Sequence, residues 1–371
     1  MLTWVQILTR DGGTEDLLKV KPRPPPLPVP DAKSPPQIFV PDELIWEILL
    51  LLPVKSLIRF KCVCKSWKLI ISDHQFVKSH LGRSSANTTN FAHIKLLSET
   101  RVYYSKHGYK LHVSHYSVSL LFSPQYPKGH LFHPIATDFD LLGVCNGLVS
   151  FTNSIYKSPW ACYVCFWNPA IRLWSKMSLP LPLPIQQLPS NSIFGFGYDR
   201  VSDTYKVVTG FYYNNDSQVG MQSVVNVYDM RDSCWRSIQS FPHMPCRLYH
   251  SSKGVYVNNK LNWMLELNTE LFVIVSLDLA TEEQLQISLP YFPPDANDED
   301  LLLGSTKDSL CVLHKVDHTR FAIWQMKEFG AHESWIQLFN FDFEEHLNLV
   351  SLPFHLNGFI LSESHECPKL C

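Results

Sequence analysis

Residues Gly254-Val255-Tyr256-Val257-Asn258-Asn259-Lys260-Leu261-Asn262-Trp263-Met264 set two apolar runs on either side of an Asn-Asn pair. Asn tolerates left-handed backbone, and β-branched and aromatic residues favour strands, so the stretch predicts a hairpin. Similar turns between apolar runs recur at Cys145-Asn146-Gly147, Val201-Ser202-Asp203, Thr306-Lys307-Asp308 and Asn357-Gly358. The successive intervals from Asn146 through Asp203, Asn258 and Lys307 to Asn357 are 57, 55, 49 and 50 residues, close enough to one period to signal a repeat.

A second family of turns falls between members of the first. Its copies are Phe166-Trp167-Asn168-Pro169…Trp174, Val227-Tyr228-Asp229…Trp235, Val275-Ser276-Leu277-Asp278 and Ile323-Trp324-Gln325…Trp335. Two hairpins per period make a four-stranded unit, and such units repeated form a β-propeller with a kelch-like period. The regular Trp positions predict rings packed between blades. Four units are readable, a fifth begins at Leu347, and residues 91–135 have room for another. The ring is therefore either incomplete at the C-terminus or closed by an N-terminal strand, because Cys367-Pro368-Lys369-Leu370-Cys371 does not read as a strand.

Composition agrees with a folded protein with a core rather than a polyelectrolyte. Of 371 residues 45% are hydrophobic and 18% charged, which excludes global disorder. Lys and Arg total 32 against 34 Asp and Glu, a net charge of −2, without the basic excess expected of a nucleic-acid partner. The ten cysteines follow no disulfide spacing, and MLTWVQILTR at the start is too short and polar for a secretory signal. The longest apolar run, Ile45–Leu52, is interrupted by Glu47 and stopped by Pro53, too short to span a membrane. A cytoplasmic or nuclear, reducing setting with no membrane partner is expected.

Residues 22–36 hold eight prolines in fifteen positions, so residues 1–37 read as a disordered, extended Pro-rich tail. Order begins at Val40-Pro41-Asp42-Glu43-Leu44, with Pro and two acids suited to a helix start. Leu44, Ile48, Leu51 and Leu52 recur at helical spacing until Pro53. Leu57, Phe60 and Val63/Cys64 mark a second helix, and Ser66–Ile71 a third. This module, residues 38–82, has more apolar positions than three short helices can bury among themselves, which predicts a partner surface.

At these residues the chain resembles a known family. Val40-Pro41-Asp42-Glu43-Leu44…Ile48-Leu49…Leu52-Pro53-Val54-Lys55-Ser56-Leu57…Phe60-Lys61-Cys62-Val63-Cys64-Lys65-Ser66-Trp67 is similar to the F-box of plant F-box proteins. Gly143-Val144-Cys145-Asn146-Gly147-Leu148-Val149, Trp167-Asn168-Pro169-Ala170, Gly195-Phe196-Gly197-Tyr198-Asp199, Asp203-Thr204-Tyr205-Lys206-Val207-Val208 and Glu333-Ser334-Trp335 resemble the F-box-associated, kelch-like region that follows it. The resemblance implies an α+β chain: an N-terminal three-helix F-box, then an all-β, propeller-like domain over residues 91–371. It also implies a non-catalytic substrate receptor of an SCF-type cullin–RING ubiquitin ligase, without cofactor or metal. The F-box would dock on a Skp-type adaptor, and through it on cullin and RING subunits, while the β domain captures a target protein of unknown identity. Carried over by position, the adaptor-binding residues are Pro41, Leu44, Ile48, Leu49, Leu52, Pro53, Val54, Leu57, Phe60, Val63 and Trp67. Some of these, Trp67 and Phe60 above all, could instead hold the helices together. Val40 departs from the Leu usual before the Pro, a loss of one methylene that costs about 1 kcal/mol at most. Two other readings stay open: an adaptor-binding F-box protein without a degradation role (or a decayed copy), and a propeller-type sugar-binding protein or enzyme.

Rival chemistries find little support. Cys162 and Cys165 form a lone CxxC without a second pair to complete a zinc site, so they read as strand thiols. Cys62 and Cys64 read as small hydrophobes inside an F-box helix. His112 and His115, if in one strand, point to opposite faces. Asp295, Asp298, Glu299 and Asp300 lack a glycine-centred calcium loop, and Gly195-Phe196-Gly197 reads as a strand turn, not a dinucleotide fingerprint. Residues 179–192, 212–221 and 290–300 are the expected target-binding loops.

Overall fold

Left-handed backbone occurs where the repeated turns predict it. Asn146 and Gly147 (φ 51° and 75°) make a two-residue loop between the paired residues Cys145 and Leu148, and Asn258 and Asn259 (φ 45° and 68°) one between Val257 and Lys260. Two positive φ angles in a two-residue loop match the right-handed twist of the strands they join. In the second turn family Arg172, Ser233, Glu282 and Gly330 also take positive φ. There the side chains of Asn168, Asp229 and Asp278 accept the backbone N–H of Ala170, Arg231 and Ala280, which fixes the turn locally.

The computed structural model describes residues 40–86, 95–104, 108–117, 130–131, 139–153, 161–182, 191–214, 221–241, 244–245, 253–268, 271–292, 301–306, 309–316, 320–342 and 359–364. The chain divides into two units, residues 1–86 and 87–371. The expected tail at residues 1–37 lies outside the described residues, as do the acidic run 295–300 and residues 183–190 and 215–220 of the expected target-binding loops. No helix among the described residues is long and apolar enough to cross a membrane.

The second unit is a β-propeller-like array. Four antiparallel sheets each draw their strands from one stretch of the chain, within residues 139–174, 191–238, 244–288 and 301–342. A further sheet contains the strands Lys95–Tyr104, Gly108–Ser117 and His130–Leu131. The strand Phe359–Ser364 joins this sheet, pairing parallel with 95–100 in the register Lys95↔Phe359. This pairing satisfies main-chain groups that a free edge would leave open. Among the described residues the fifth unit expected from Leu347 forms no sheet of its own.

The sheets are joined by apolar layers between them. Ile193, Val208, Tyr212, Val225 and Val227 of one sheet pack against Leu261, Trp263, Leu265, Val273 and Val275 of the next. Val257, Met264, Ile274 and Ile287 then pack against Leu301, Leu310, Val312 and Trp335. Indole N–H groups reach across these seams, Trp263 to the Phe194 carbonyl at 2.8 Å and Trp335 to Ser288 at 3.1 Å, and Trp235 reaches the Leu179 carbonyl in the segment before its own sheet at 3.0 Å. Trp167 and Trp174 differ, stacking on each other across neighbouring strands of one sheet at 5.5 Å. Gly195 and Gly197 lie in mid-strand, not at a turn as expected. A Cβ at Gly195 would stand 2.7 Å from Trp263 and one at Gly197 2.5 Å from Tyr256, so the neighbouring sheet's rings require glycine there.

A buried ion pair within one sheet also reaches across a seam through its cation. Lys206 Nζ donates to Asp199 Oδ2 at 2.8 Å and to the Leu279 carbonyl of the next sheet at 2.6 Å. The two side chains are 6% and 1% exposed. Burial would raise the Asp199 carboxyl, but hydrogen bonds from Lys206, Ser202 and the Val201 N–H outweigh it and hold the group at about 2.

Candidate functional site

The first unit holds the predicted partner surface. Its helices are α1 (Asp42–Leu50), α2 (Val54–Phe60), α3 (Lys65–Ser72) and α4 (His74–Ala86). Pro41 and Pro53 stand immediately before α1 and α2, where a missing N–H costs nothing. Asp42 and Glu43 occupy the positive end of α1. The fourth helix was not among the three expected. Its start signal is Asp73, whose Oδ1 accepts the N–H groups of Gln75 and Phe76 at 2.9 and 3.0 Å.

Leu49, Leu50, Leu57, Ile71 and Phe76 form the buried centre, with Ile45, Trp46, Leu52, Phe60, Trp67 and Ile70 packed around it. Trp46 meets Phe76 edge-on at 5.1 Å, Phe60 lies 5.3 Å from Trp67, and His80 Nε2 bonds the Leu52 carbonyl at 2.8 Å. Among the expected docking residues, Leu49 and Leu57 are therefore interior, and Leu52, Phe60 and Trp67 are half-buried structural neighbours. Pro41, Leu44, Ile48, Pro53, Val54 and Val63 are exposed. Leu51, Ile58 and Leu69 are exposed as well and were not in the expected set. Ile58 and Leu69 sit on the polar sides of their helices, beside Arg59 and Lys68, and an apolar residue out of phase with the buried stripe was the available signal.

The exposure is large for branched side chains: Leu44 55%, Ile48 54%, Leu51 65%, Val63 60% and Leu69 73%. Leu44, Ile48 and Leu51 follow one another at spacings of four and three, which puts them on one face of the first helix and its C-terminal cap. With Val40, Val54 and Ile58, the module thus keeps eight large apolar groups exposed to water beside a closed core, the pattern of an interface awaiting its partner.

Cys62 and Cys64 correct another expectation. They lie in the exposed turn between α2 and α3, not inside a helix, and the Cys64 sulfur caps α3 by accepting the Trp67 N–H at 3.4 Å. In the β unit Cys162 and Cys165 are buried free thiols, each pushed up to about 12 by burial, which leaves neither as a reactive thiolate near neutral pH. Among the described residues no three His, Cys, Asp or Glu side chains converge as metal ligands.

Comparison with known proteins places both units. The family described as the F-box domain matches residues 40–79, and that described as the F-box associated beta propeller domain matches residues 96–369. The F-box/kelch-repeat protein At3g23880 of Arabidopsis thaliana is 31% identical over 303 residues, covering 81% of this chain and 78% of the relative. The F-box protein CPR1 of Arabidopsis thaliana is 27% identical over 327 residues, covering 81% of this chain and 72% of its own.

Proposed function

Because the chain belongs to the F-box proteins that carry an F-box associated β-propeller domain, we propose that it is the substrate-receptor subunit of an SCF-type cullin–RING ubiquitin ligase. The observation that carries this reading is the row of exposed Leu44, Ile48 and Leu51 beside the closed core of the helical module. Residues 38–82 dock on a Skp-type adaptor and through it on cullin and RING subunits, and residues 91–371 hold the target. The docking contacts come from the exposed members of the set, Pro41, Leu44, Ile48, Pro53, Val54 and Val63, joined by Leu51, Ile58 and Leu69. Leu49, Leu52, Leu57, Phe60 and Trp67 act by shaping the surface. The receptor makes no covalent bond. It raises the effective concentration of a target lysine near a ubiquitin-loaded enzyme on the same scaffold, in the cytoplasm, the nucleus or both.

The test is co-purification of the full chain with a Skp-type adaptor, beside Ile48→Asp and Leu51→Asp. Both positions are exposed, so the variants keep their fold, whereas a carboxylate forced into an apolar interface costs several kcal/mol. Capture by the wild type and loss in both variants is expected. A folded wild type that captures no adaptor refutes the reading.

A further inference from the structure

Among the described residues three thiols are exposed, Cys62, Cys64 and Cys234, while Cys145, Cys162, Cys165 and Cys311 are buried. Cys62 and Cys64 stand two positions apart in the turn between α2 and α3. Cα atoms two positions apart are separated by at most about 7 Å, and a disulfide spans roughly 4.4–6.8 Å between Cα atoms. The two sulfurs are thus within reach of each other, free, and open to water. Among the described residues no third ligand joins them, which favours redox chemistry over metal binding for the pair.

The turn belongs to the docking surface. Phe60 ends α2 and Trp67 lies in the first turn of α3, and their rings meet at 5.3 Å. Cys64 starts α3 twice over: its sulfur accepts the Trp67 N–H at 3.4 Å and its carbonyl accepts the Lys68 N–H at 3.1 Å. Val63, 60% exposed and one of the docking residues, stands between the two thiols. Capping does not account for sulfur at position 64, because a hydroxyl or carboxylate oxygen is the better acceptor there. Packing does not account for Cys62, whose side chain is exposed and makes no hydrogen bond among the described residues.

We propose that Cys62 and Cys64 are a redox modification site: a peroxide joins them in a reversible disulfide, and that bond weakens adaptor docking. One thiol attacks the peroxide, breaking the O–O bond to give a sulfenic acid and water. The second thiol then displaces the sulfenic oxygen as a second water, so the peroxide gains the two electrons that the thiols lose. A thiol reductant reopens the bond by exchange. Closing it turns the Cys64 sulfur from the Trp67 N–H to Cys62, uncaps α3 and locks Val63 in a small ring. This rests on the adaptor-docking reading above and adds its regulation.

The experiment treats the full chain with equimolar hydrogen peroxide, then divides it between tryptic mapping and titration with a purified Skp-type adaptor. Trypsin cuts after Lys61 and Lys65, so both thiols fall in one peptide, Cys62–Lys65. That peptide should be two hydrogens lighter and closed to alkylation. Adaptor affinity should fall about tenfold, from the lost cap and the displaced Val63, and return with dithiothreitol. Cys62→Ser keeps the Cys64 cap and should bind as reduced wild type with or without peroxide. Cys234→Ser, which removes the exposed thiol of the β unit, should respond as wild type. Thiols of 62 and 64 that stay open to alkylation in peroxide-treated wild type overturn the site and leave adaptor docking standing. A bond that forms without changing affinity, or a loss of affinity that Cys62→Ser shares, overturns the switch. If Cys62→Ser fails to fold, mapping and reversal on the wild type decide. A reduced, folded wild type that captures no adaptor removes the docking reading and the switch together.

Discussion

Replacing Lys206 by Met should destabilise the β unit more than most single substitutions. The ammonium is 6% exposed and bonds a carboxylate that is 1% exposed, as well as the Leu279 carbonyl of the next sheet. Met keeps the volume of the stem but removes the charge, so Asp199 would remain buried and without its cation. Removing one partner of a buried pair costs about 3–5 kcal/mol. For a unit of this size that corresponds to a fall in melting midpoint of roughly 10 °C, read by tryptophan fluorescence of the full chain. The pH dependence supplies an independent check. The Asp199 carboxyl sits at about 2 in the fold, against about 3.9 for an unfolded Asp. A depressed folded value means stability that is full above the unfolded value and lost as pH falls toward 2, about 2.6 kcal/mol for a difference of roughly 1.9 units. Lys206→Met should therefore lose much of the wild-type decline between pH 5 and pH 2. Asp199→Asn/Lys206→Met should recover part of the neutral-pH loss, because no charge is then stranded. A midpoint within about 2 °C of wild type at pH 7, or a double variant as unstable as Lys206→Met, refutes the ion-pair account.

Three further outcomes follow from packing. Gly195→Ala should lower the melting midpoint, since its Cβ would stand 2.7 Å from Trp263 and 3.0 Å from Leu261, whereas Gly82→Ala, with no atom within 4 Å in α4, should gain about 1 kcal/mol or less. Trp235→Phe keeps a ring but loses the N–H to the Leu179 carbonyl, and thermal denaturation should register a loss of about 1 kcal/mol. Leu57→Ala empties a core position and should cost about 2–5 kcal/mol in chemical denaturation. Leu69→Ala should change stability by under about 0.5 kcal/mol yet weaken adaptor capture, and the reverse ordering in either assay would contradict the assignment of Leu57 to core and Leu69 to surface.

The propeller-like array was legible because its turns are local. Asn146-Gly147 and Asn258-Asn259 announce left-handed backbone in two residues, and the apolar runs beside them need no distant partner to read as strands. What escaped the sequence was non-local. Nothing near Gly195 shows that Trp263, far along the chain, presses on it. Nothing beside Lys95 shows that Phe359 pairs with it. In the helical module the total of apolar residues predicted a partner surface, but not which residues face it. Leu49 and Ile48 are adjacent and equally apolar, and only the packing of α4 through Phe76 and His80 makes the module's inside and outside distinct. That helix was missed because Phe76, Val77 and Leu81 give it a weak stripe, and the start signal at Asp73 went unread.

The tryptophan spacing has a more specific cause than aromatic packing alone. Trp235 pairs with Tyr228 on its own sheet, Gln284 with Leu277 and Trp335 with Met326, which places the three at one position of the fourth strand. Each donates to a backbone carbonyl of the preceding sheet or the segment before it: Trp235 to Leu179, Gln284 to Gln239 and Trp335 to Ser288. The sheet without a Trp there is therefore no break in the pattern. A Gln amide supplies the same N–H, and the position demands a long side chain with a terminal donor rather than an indole. An outer strand's neighbour across the seam is another sheet with carbonyls to satisfy, so a donor at this position sets how far each sheet slides along the next. Lys206, reaching from the second strand of one sheet to Leu279 of the next, applies the same device nearer the buried centre. In the receptor role proposed above, fixed sheet-to-sheet register is what keeps loops from different sheets in one geometry. The repeated donor would thus serve the proposed function as well as the stability of the β unit.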